Sequence, residues 1–258
     1  MIDALYIAES GLNAQETLIN VISNNIANSN TVGFKKNRVD FIDLVYKSEN
    51  TNQITNTTDR NNLIGTGTSI GSTTKVFTSG EIKATNNPLD IAILGDGFLE
   101  VEMPSGQTAY TRAGRLMINN EGLLTTAQGH KLSANIRVPQ DTATVIISQE
   151  GEVLGYTDIG QDPIHLGQID IAKFASTDNL KELGTSLFSA TEKSGDAIYG
   201  QPGDTGYGKI LQGHTEISNV SMVEEMVNLV LAQRGYQLNA RVLQISDQML
   251  ETINNLRR

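Results

Sequence analysis

The chain has 258 residues, 38% hydrophobic residues, only 5% aromatic residues, no Trp and a formal net charge of −10. That length allows one large domain or roughly two to three small ones, and the acid excess argues against general nucleic-acid binding. The absence of Cys excludes disulfides, thiolate catalysis and Cys–zinc sites.

Residues 3–28 read as the first helix, with Asp3 as its N-cap. Leu5, Ala8, Leu12, Gln15, Ile19, Ile22 and Ile26 recur at alternating steps of three and four, a heptad seam broken only by Gln15. The strict seven-residue spacing of Leu5, Leu12, Ile19 and Ile26 favours packing against another helix over packing on a mixed core. The helix should fail at Asn28-Ser29-Asn30, with Gly33 soon after. The N-terminus lacks a basic region followed by a long apolar run, so a secretory signal peptide is not expected. Nor does any stretch approach the roughly 18 apolar residues of a membrane span.

Residues 34–46, with Phe34, Val39, Phe41, Ile42, Leu44, Val45 and Tyr46, make a mixed apolar segment. Beside them, Lys35, Lys36 and Arg38 read as an ordinary polar face rather than as phosphate ligands. Residues 47–75 are rich in Asn, Thr, Ser and Gly. Such a stretch suits a linker or loop, and its Thr and Ile residues also permit an extended, weakly specified hairpin.

From 76 to about 213 the signals are those of short strands. Leu89–Leu94 and Phe98–Met103 flank Gly95-Asp96-Gly97 and predict a hairpin. Further turns are expected at Ser105-Gly106, Asn120-Glu121-Gly122, Gln128-Gly129 and Glu150-Gly151, and strands at 142–148 and 164–174. Residues 196–208 read as a Gly-rich loop. The expected unit is a mainly antiparallel β domain.

The last helix should begin near Asn219 or Ser221, where Ser221-Met-Val-Glu224 forms a capping box. Its stripe runs Val220, Val223, Val227, Val230, Leu238, Val242, Ile245, Met249, Ile253 and Leu256 over about 36 residues, roughly 54 Å. Gly235 interrupts it and marks a close contact or a bend. Long apolar-seamed helices at both ends of the chain look built to pair, with each other or with further copies.

Signals for catalysis are weak. Gly67-Thr-Ser69-Ile-Gly71 has the spacing of a nucleophile elbow but neither the buried strand before it nor the helix after it. Gly65, Gly67 and Gly71 miss the dinucleotide spacing, and no phosphate-binding Walker loop is present. His130, His165 and His214 stand far apart in sequence without a ligand-spaced partner. Glu100 and Glu102 share one strand face, which is not the arrangement of two carboxylates across a cleft. A hydrolase using Ser69 and a secreted β-rich binding module with a helical stalk remain as competing readings.

Several blocks go beyond pattern. Ile22-Ser-Asn-Asn-Ile-Ala-Asn28 with Thr31-Val-Gly-Phe-Lys35 resembles the N-terminal signature of bacterial flagellar rod and hook proteins, with Asn24, Asn25, Asn28, Gly33, Phe34 and Lys35 as motif residues. Asn87–Phe98 and Tyr110-Thr-Arg-Ala-Gly114 are similar to their central motifs. Glu216-Ile-Ser-Asn-Val220, Glu224-Glu-Met-Val227 and Gln233-Arg-Gly-Tyr236 resemble their C-terminal signature. Within that family, the length and the insertion at 47–64 most resemble the distal rod branch, ahead of the proximal rod and hook branches. Departures are Gly235, where the family often has Ala, and Leu99, where it often has Phe.

The resemblance implies an α+β fold in three parts. Residues 1–33 with 214–258 would form a discontinuous terminal domain whose two helices pair as a coiled coil. Residues 34–86 would be an extended hairpin segment, and 87–213 a central β domain. It implies a structural subunit, not an enzyme, with no cofactor, no metal, no nucleic acid and no small-molecule substrate. Copies would assemble as a homo-oligomeric helical tube around an export channel. Leu5, Leu12, Ile19, Ile22 and Ile26, and Val223, Val227, Val230, Leu238, Val242, Ile245, Met249 and Ile253, would face neighbouring subunits. Expected partners are proximal rod and hook proteins, flagellar ring proteins and the type III export apparatus. The expected location is the basal body, spanning the periplasm toward the outer membrane, after export without a cleaved signal.

Overall fold

A computed structural model describes residues 2–44, 47–48, 63–157 and 162–256. The fold is α+β, with a helix at each end of the chain and antiparallel strands between. It divides into two compact units. One holds residues 1–27, 37–74 and 221–258; the other holds 28–36 and 75–220.

In the first unit, α1 runs Ile2–Ala27 and α2 runs Met222–Leu256. Helix α1 begins one residue earlier than the capping signal suggested, which puts Asp3 inside the first turn near the positive helix end rather than at the cap. The start of α2 follows the capping reading: the Glu224 N–H lies 3.5 Å from Ser221 Oγ, and the Glu225 N–H donates to the Ser221 carbonyl at 3.0 Å.

The strand Asn37–Asp43 pairs with Thr68–Lys75, and Lys47–Ser48 pairs antiparallel with Leu63–Ile64. Leu44 N–H donates to the Gly67 carbonyl at 2.9 Å, and Thr68 Oγ1 to the Ile42 carbonyl at 3.2 Å. The Asn/Thr-rich stretch therefore carries two antiparallel arms. Residues 49–62, where the insertion expected at 47–64 has most of its length, lie outside the described residues.

In the second unit, one sheet runs through Phe98–Glu102, which pairs with Thr108–Thr111 on one side and with Ile171–Lys173 and Lys131–Leu132 on the other. The period-2 alternation of a strand separates its side chains. Phe98 joins an aromatic cluster with Tyr110, Phe174 and Phe188, its ring edge-on to Phe77 at 5.4 Å. Leu99 points the other way, into an aliphatic core with Ile91, Ile93, Leu116, Leu124, Ile136 and Ile171. Each such fully covered side chain contributes about 1.5–3 kcal/mol of burial.

The turn signals at Ser105-Gly106, Asn120-Glu121-Gly122, Gln128-Gly129 and Glu150-Gly151 each close a hairpin, with the glycine at positive φ between 79° and 87°. The hairpin expected across Gly95-Asp96-Gly97 does not form. Ile91–Leu94 pairs antiparallel with the distant strand Lys209–Gln212, Ile91 opposite Gln212 and Leu94 opposite Lys209, and Phe98–Glu102 enters the other sheet. The reason is steric. A Cβ on Gly97 would lie 1.9 Å from Ile171 Cγ2, and one on Gly95 would lie 2.9 Å from Gly208 Cα, so both glycines admit close neighbours where the chain changes sheets. The Gly-rich region at 196–208 is likewise not all loop, since Ile198–Gly200 pairs with Ile171–Lys173.

Candidate functional site

Two sets of residues stand out: the faces of the terminal helices, and a buried charge cluster built from the N- and C-terminal motifs.

Helices α1 and α2 pack on each other antiparallel. A Cβ on Gly11 would lie 2.6 Å from Asn239 Nδ2, and one on Gly235 would lie 3.2 Å from Gln15 Cδ. Asn25 Nδ2 reaches Glu225 Oε2 at 3.3 Å. Each step up α1 thus matches an equal step down α2. The contact expected at Gly235 is the close approach of Gln15, the one polar member of the α1 seam.

The covered face of α2 carries Glu225, Leu229, Ala232, Gly235, Asn239, Leu243, Ser246 and Leu250, a stripe at helical spacing that sets small and polar residues between leucines. The apolar stripe singled out in the sequence lies on the other side. Val223 is 70% exposed, Val227 55%, Leu238 64% and Met249 52%, and Val230, Val242, Ile245 and Ile253 are exposed as well. In α1, Leu5, Leu12, Ile19 and Ile26 flank the covered face and are half-buried, whereas Ile22 is 3% exposed within its own chain. The Val/Leu/Ile/Met stripe of α2 is therefore not what holds the two helices of one chain together.

Asn25 fastens both helices to the hairpin. Its Oδ1 accepts from the Asn37 N–H at 2.9 Å while its Nδ2 donates to the Asn37 carbonyl at 2.9 Å and to Glu225. The side-chain amide pairs with Asn37 as a neighbouring strand would, and it gives the buried Glu225 carboxylate a donor. Asn24 is exposed. Asn28 accepts from Thr31 N–H at 3.1 Å in the turn that ends α1.

In the second unit, Gly33, Phe34 and Lys35 are buried. Lys35 does not lie on a polar surface as expected. Its Nζ donates to Glu216 Oε1 at 2.7 Å and to the Thr78 carbonyl at 2.7 Å, with 0% of the side chain exposed. Glu216 Oε1 also accepts from Gly80 N–H at 2.7 Å, and the Glu216 carbonyl accepts from Gly33 N–H at 2.9 Å. Arg112, from the central Tyr-Thr-Arg motif, brings Nε to 3.5 Å from Glu216 Oε2 and donates through Nη2 to the Gly95 carbonyl. Burial pushes the Lys35 ammonium below its ordinary 10.5; Glu216 opposes that shift and Arg112 adds to it. Burial also lowers Arg112, against the pull of Glu216 and Asp96. Periodicity could not find this cluster, because its members stand singly in three distant segments; only their common presence in the signature blocks hinted at it.

The catalytic alternatives gain nothing. Ser69 lies within the strand Thr68–Lys75, which no helix follows, so the elbow geometry is missing. His165 Nε2 is 3.4 Å from an exposed Glu152, and His214 Nδ1 meets the Gln212 carbonyl at 2.8 Å. Among the described residues, no group of three His, Asp or Glu side chains is placed to hold a metal, and no helix is long and apolar enough to cross a membrane.

Three family models match the chain. That for flagella basal body rod protein covers residues 5–35, that for the flagellar hook protein FlgE/F/G D1 domain covers 92–155, and that for the flagellar basal body rod FlgEFG protein C-terminal covers 211–256. The chain is 42% identical over 264 residues to the flagellar basal-body rod protein FlgG of Borreliella burgdorferi, covering 100% of both. It is 40% identical over 259 residues to that of Caulobacter vibrioides, covering 98% of this chain and 99% of the relative. With the flagellar hook protein FlgE of Salmonella typhimurium the identity is 40% over 119 residues, 46% of this chain and 29% of the hook protein.

Proposed function

Because the chain belongs to the flagellar basal-body rod protein family, we propose that it is the distal-rod subunit and that its copies build a helical tube transmitting motor torque to the hook. It is a structural axial component of the bacterial flagellum. The division of labour in this reading follows the sequence: terminal helical parts at 1–33 and 214–258, an extended hairpin segment at 34–86, and a central β domain at 87–213.

The observation that carries the self-assembly reading is the open apolar stripe of α2. Val223, Val227, Val230, Leu238, Val242, Ile245, Met249 and Ile253 lie uncovered while α1 occupies another face. A contiguous apolar face left in water is a contact surface or an aggregation hazard. Copies of the same chain supply the cover. An identical contact that repeats without closing generates a helical filament. In this reading the terminal helices pair as a coiled coil and line the export channel, with the half-buried Leu5, Leu12, Ile19 and Ile26 at the flank joining the subunit contacts. Export runs through the type III apparatus, and the assembled tube spans the periplasm between proximal rod and hook proteins, within the flagellar rings.

Full-length likeness to rod proteins, set against a match to under half of the chain with the hook protein, favours the rod over the hook. The proximal rod is the second reading. Electron microscopy of basal bodies isolated from cells carrying an epitope-labelled chain tests it. Label along the distal part of the rod is the expected result. Label confined to the proximal part selects the second reading, and absence of the chain from basal bodies removes both.

A further inference from the structure

The buried cluster around Glu216 is electrostatically lopsided. Two cations, Lys35 and Arg112, flank one carboxylate, and all three side chains are 2% exposed or less. Lys35 and Glu216 are 181 residues apart in sequence, and Gly80 and Glu216 are 136 apart. The same far segment supplies the strand His214–Glu216 to Ile82–Ala84 and the strand Lys209–Gln212 to Ile91–Leu94. Until that segment arrives, Lys35 and Arg112 have no shared anion. Bringing two cations together in a dry interior without one is strongly unfavourable. Contacts of such long separation also form against a large loop-closure entropy.

We infer that Lys35, Arg112 and Glu216 form a late-closing latch, which keeps residues 28–36 off the β-rich unit until the C-terminal motif has joined it. Gly33-Phe34-Lys35 then docks as a plug. Gly33 donates to the Glu216 carbonyl, Phe34 lies under the Lys75 ammonium at 4.9 Å, and the Val76 N–H donates to the Lys36 carbonyl at 3.0 Å. Under the export route proposed above, on which this consequence alone rests, a chain threaded N-terminus first stays unlatched until Glu216 has emerged.

The latch itself is tested on the purified full-length chain, independently of any rod. During refolding from denaturant, pulsed hydrogen exchange should protect the amides of Gly33 and Gly80 later than those in the hairpin of Phe98–Glu102 with Thr108–Thr111. Lys35→Met and Glu216→Gln should each speed unfolding, with Glu216→Gln acting about tenfold or more, and leave the refolding rate within about twofold, the signature of contacts absent from the transition state. Glu216→Gln should exceed Lys35→Met, because it strands two cations whereas the other leaves a one-to-one pair. If Glu216→Gln does not fold, Lys35→Met and the wild-type labelling order carry the same test. Early protection of Gly33 and Gly80, or refolding slowed as much as unfolding is accelerated, overturns the latch.

Discussion

Gly235 of α2 faces Gln15 of α1 so closely that a Cβ on the glycine would stand 3.2 Å from Gln15 Cδ. The atoms in the way belong to the end of a flexible side chain, which needs to yield only a few tenths of an ångström. Replacing a mid-helix glycine by alanine gains up to about 1 kcal/mol of helix stability. Gly235→Ala is therefore expected to stabilise the chain modestly, as a raised denaturation midpoint. Gly235→Leu places a branched side chain where only a methyl fits and should lower the midpoint. A drop for the alanine variant would mean that Gln15 is held rigidly.

Gly33 is a different case. Its φ is +69°, and a Cβ there would lie 2.7 Å from the Ala113 backbone nitrogen. The left-handed conformation alone costs a non-glycine residue about 1–2 kcal/mol, and backbone cannot step aside as a side-chain tip does. Gly33→Ala should destabilise by at least that amount in urea unfolding.

Asn25 donates to the Glu225 carboxylate and closes a two-bond pair with Asn37. Asn25→Leu keeps the volume but strands these groups, at about 1–3 kcal/mol for each buried group left unsatisfied. The expected result is lower stability together with faster exchange of the Asn37 amide. Unchanged exchange at Asn37 would show that the amide is satisfied in another way.

The exposed stripe gives the opposite pattern. Val227→Asp with Ile245→Asp alters residues 55% and 45% exposed, and substitutions at open positions usually stay within about 0.5 kcal/mol. Monomer helicity and stability should hold while polymer formation, followed by light scattering and electron microscopy, is lost. Polymers formed at the wild-type rate would remove this stripe from the subunit interface.

Lys35 carries a pH prediction. Its native pKa is lowered from 10.5 by burial, so between that lowered value and 10.5 the unfolded chain binds more protons than the native one. Stability gains a positive slope with pH in that window. Below the window the cost of a buried charge is present in full; above 10.5 it is gone. Lys35→Met should flatten this slope in unfolding measured from pH 8 to 10.5, and an unchanged slope would reassign it to other groups.

Local chemistry made much of this legible in advance. Heptad spacing announced α1, a Ser cap placed the start of α2, and four glycine-bearing turns closed four hairpins, because turn and helix preferences act over a few residues. The Gly95-Asp96-Gly97 hairpin failed for the complementary reason. Its glycines answer to Ile171 and Gly208, which no local window contains. Lys35 read as surface because its partners, Glu216 and Arg112, are distant in sequence.

The amphipathic stripes were likewise written in the sequence, but which stripe meets which was not. Periodicity shows that a helix has an apolar face. It is close approach, at Gly11 against Asn239 and at Gly235 against Gln15, that selects the face carrying Gly235, Ala232 and Ser246 for the partner helix. Amino-acid order alone determined the two terminal helices, the Ser221 cap, four glycine turns and the family blocks, all set by near neighbours. Tertiary structure decided the sheet change at Gly95–Gly97, the burial of Lys35 and the outward turn of the α2 stripe, because each depends on atoms brought together only when distant segments pack.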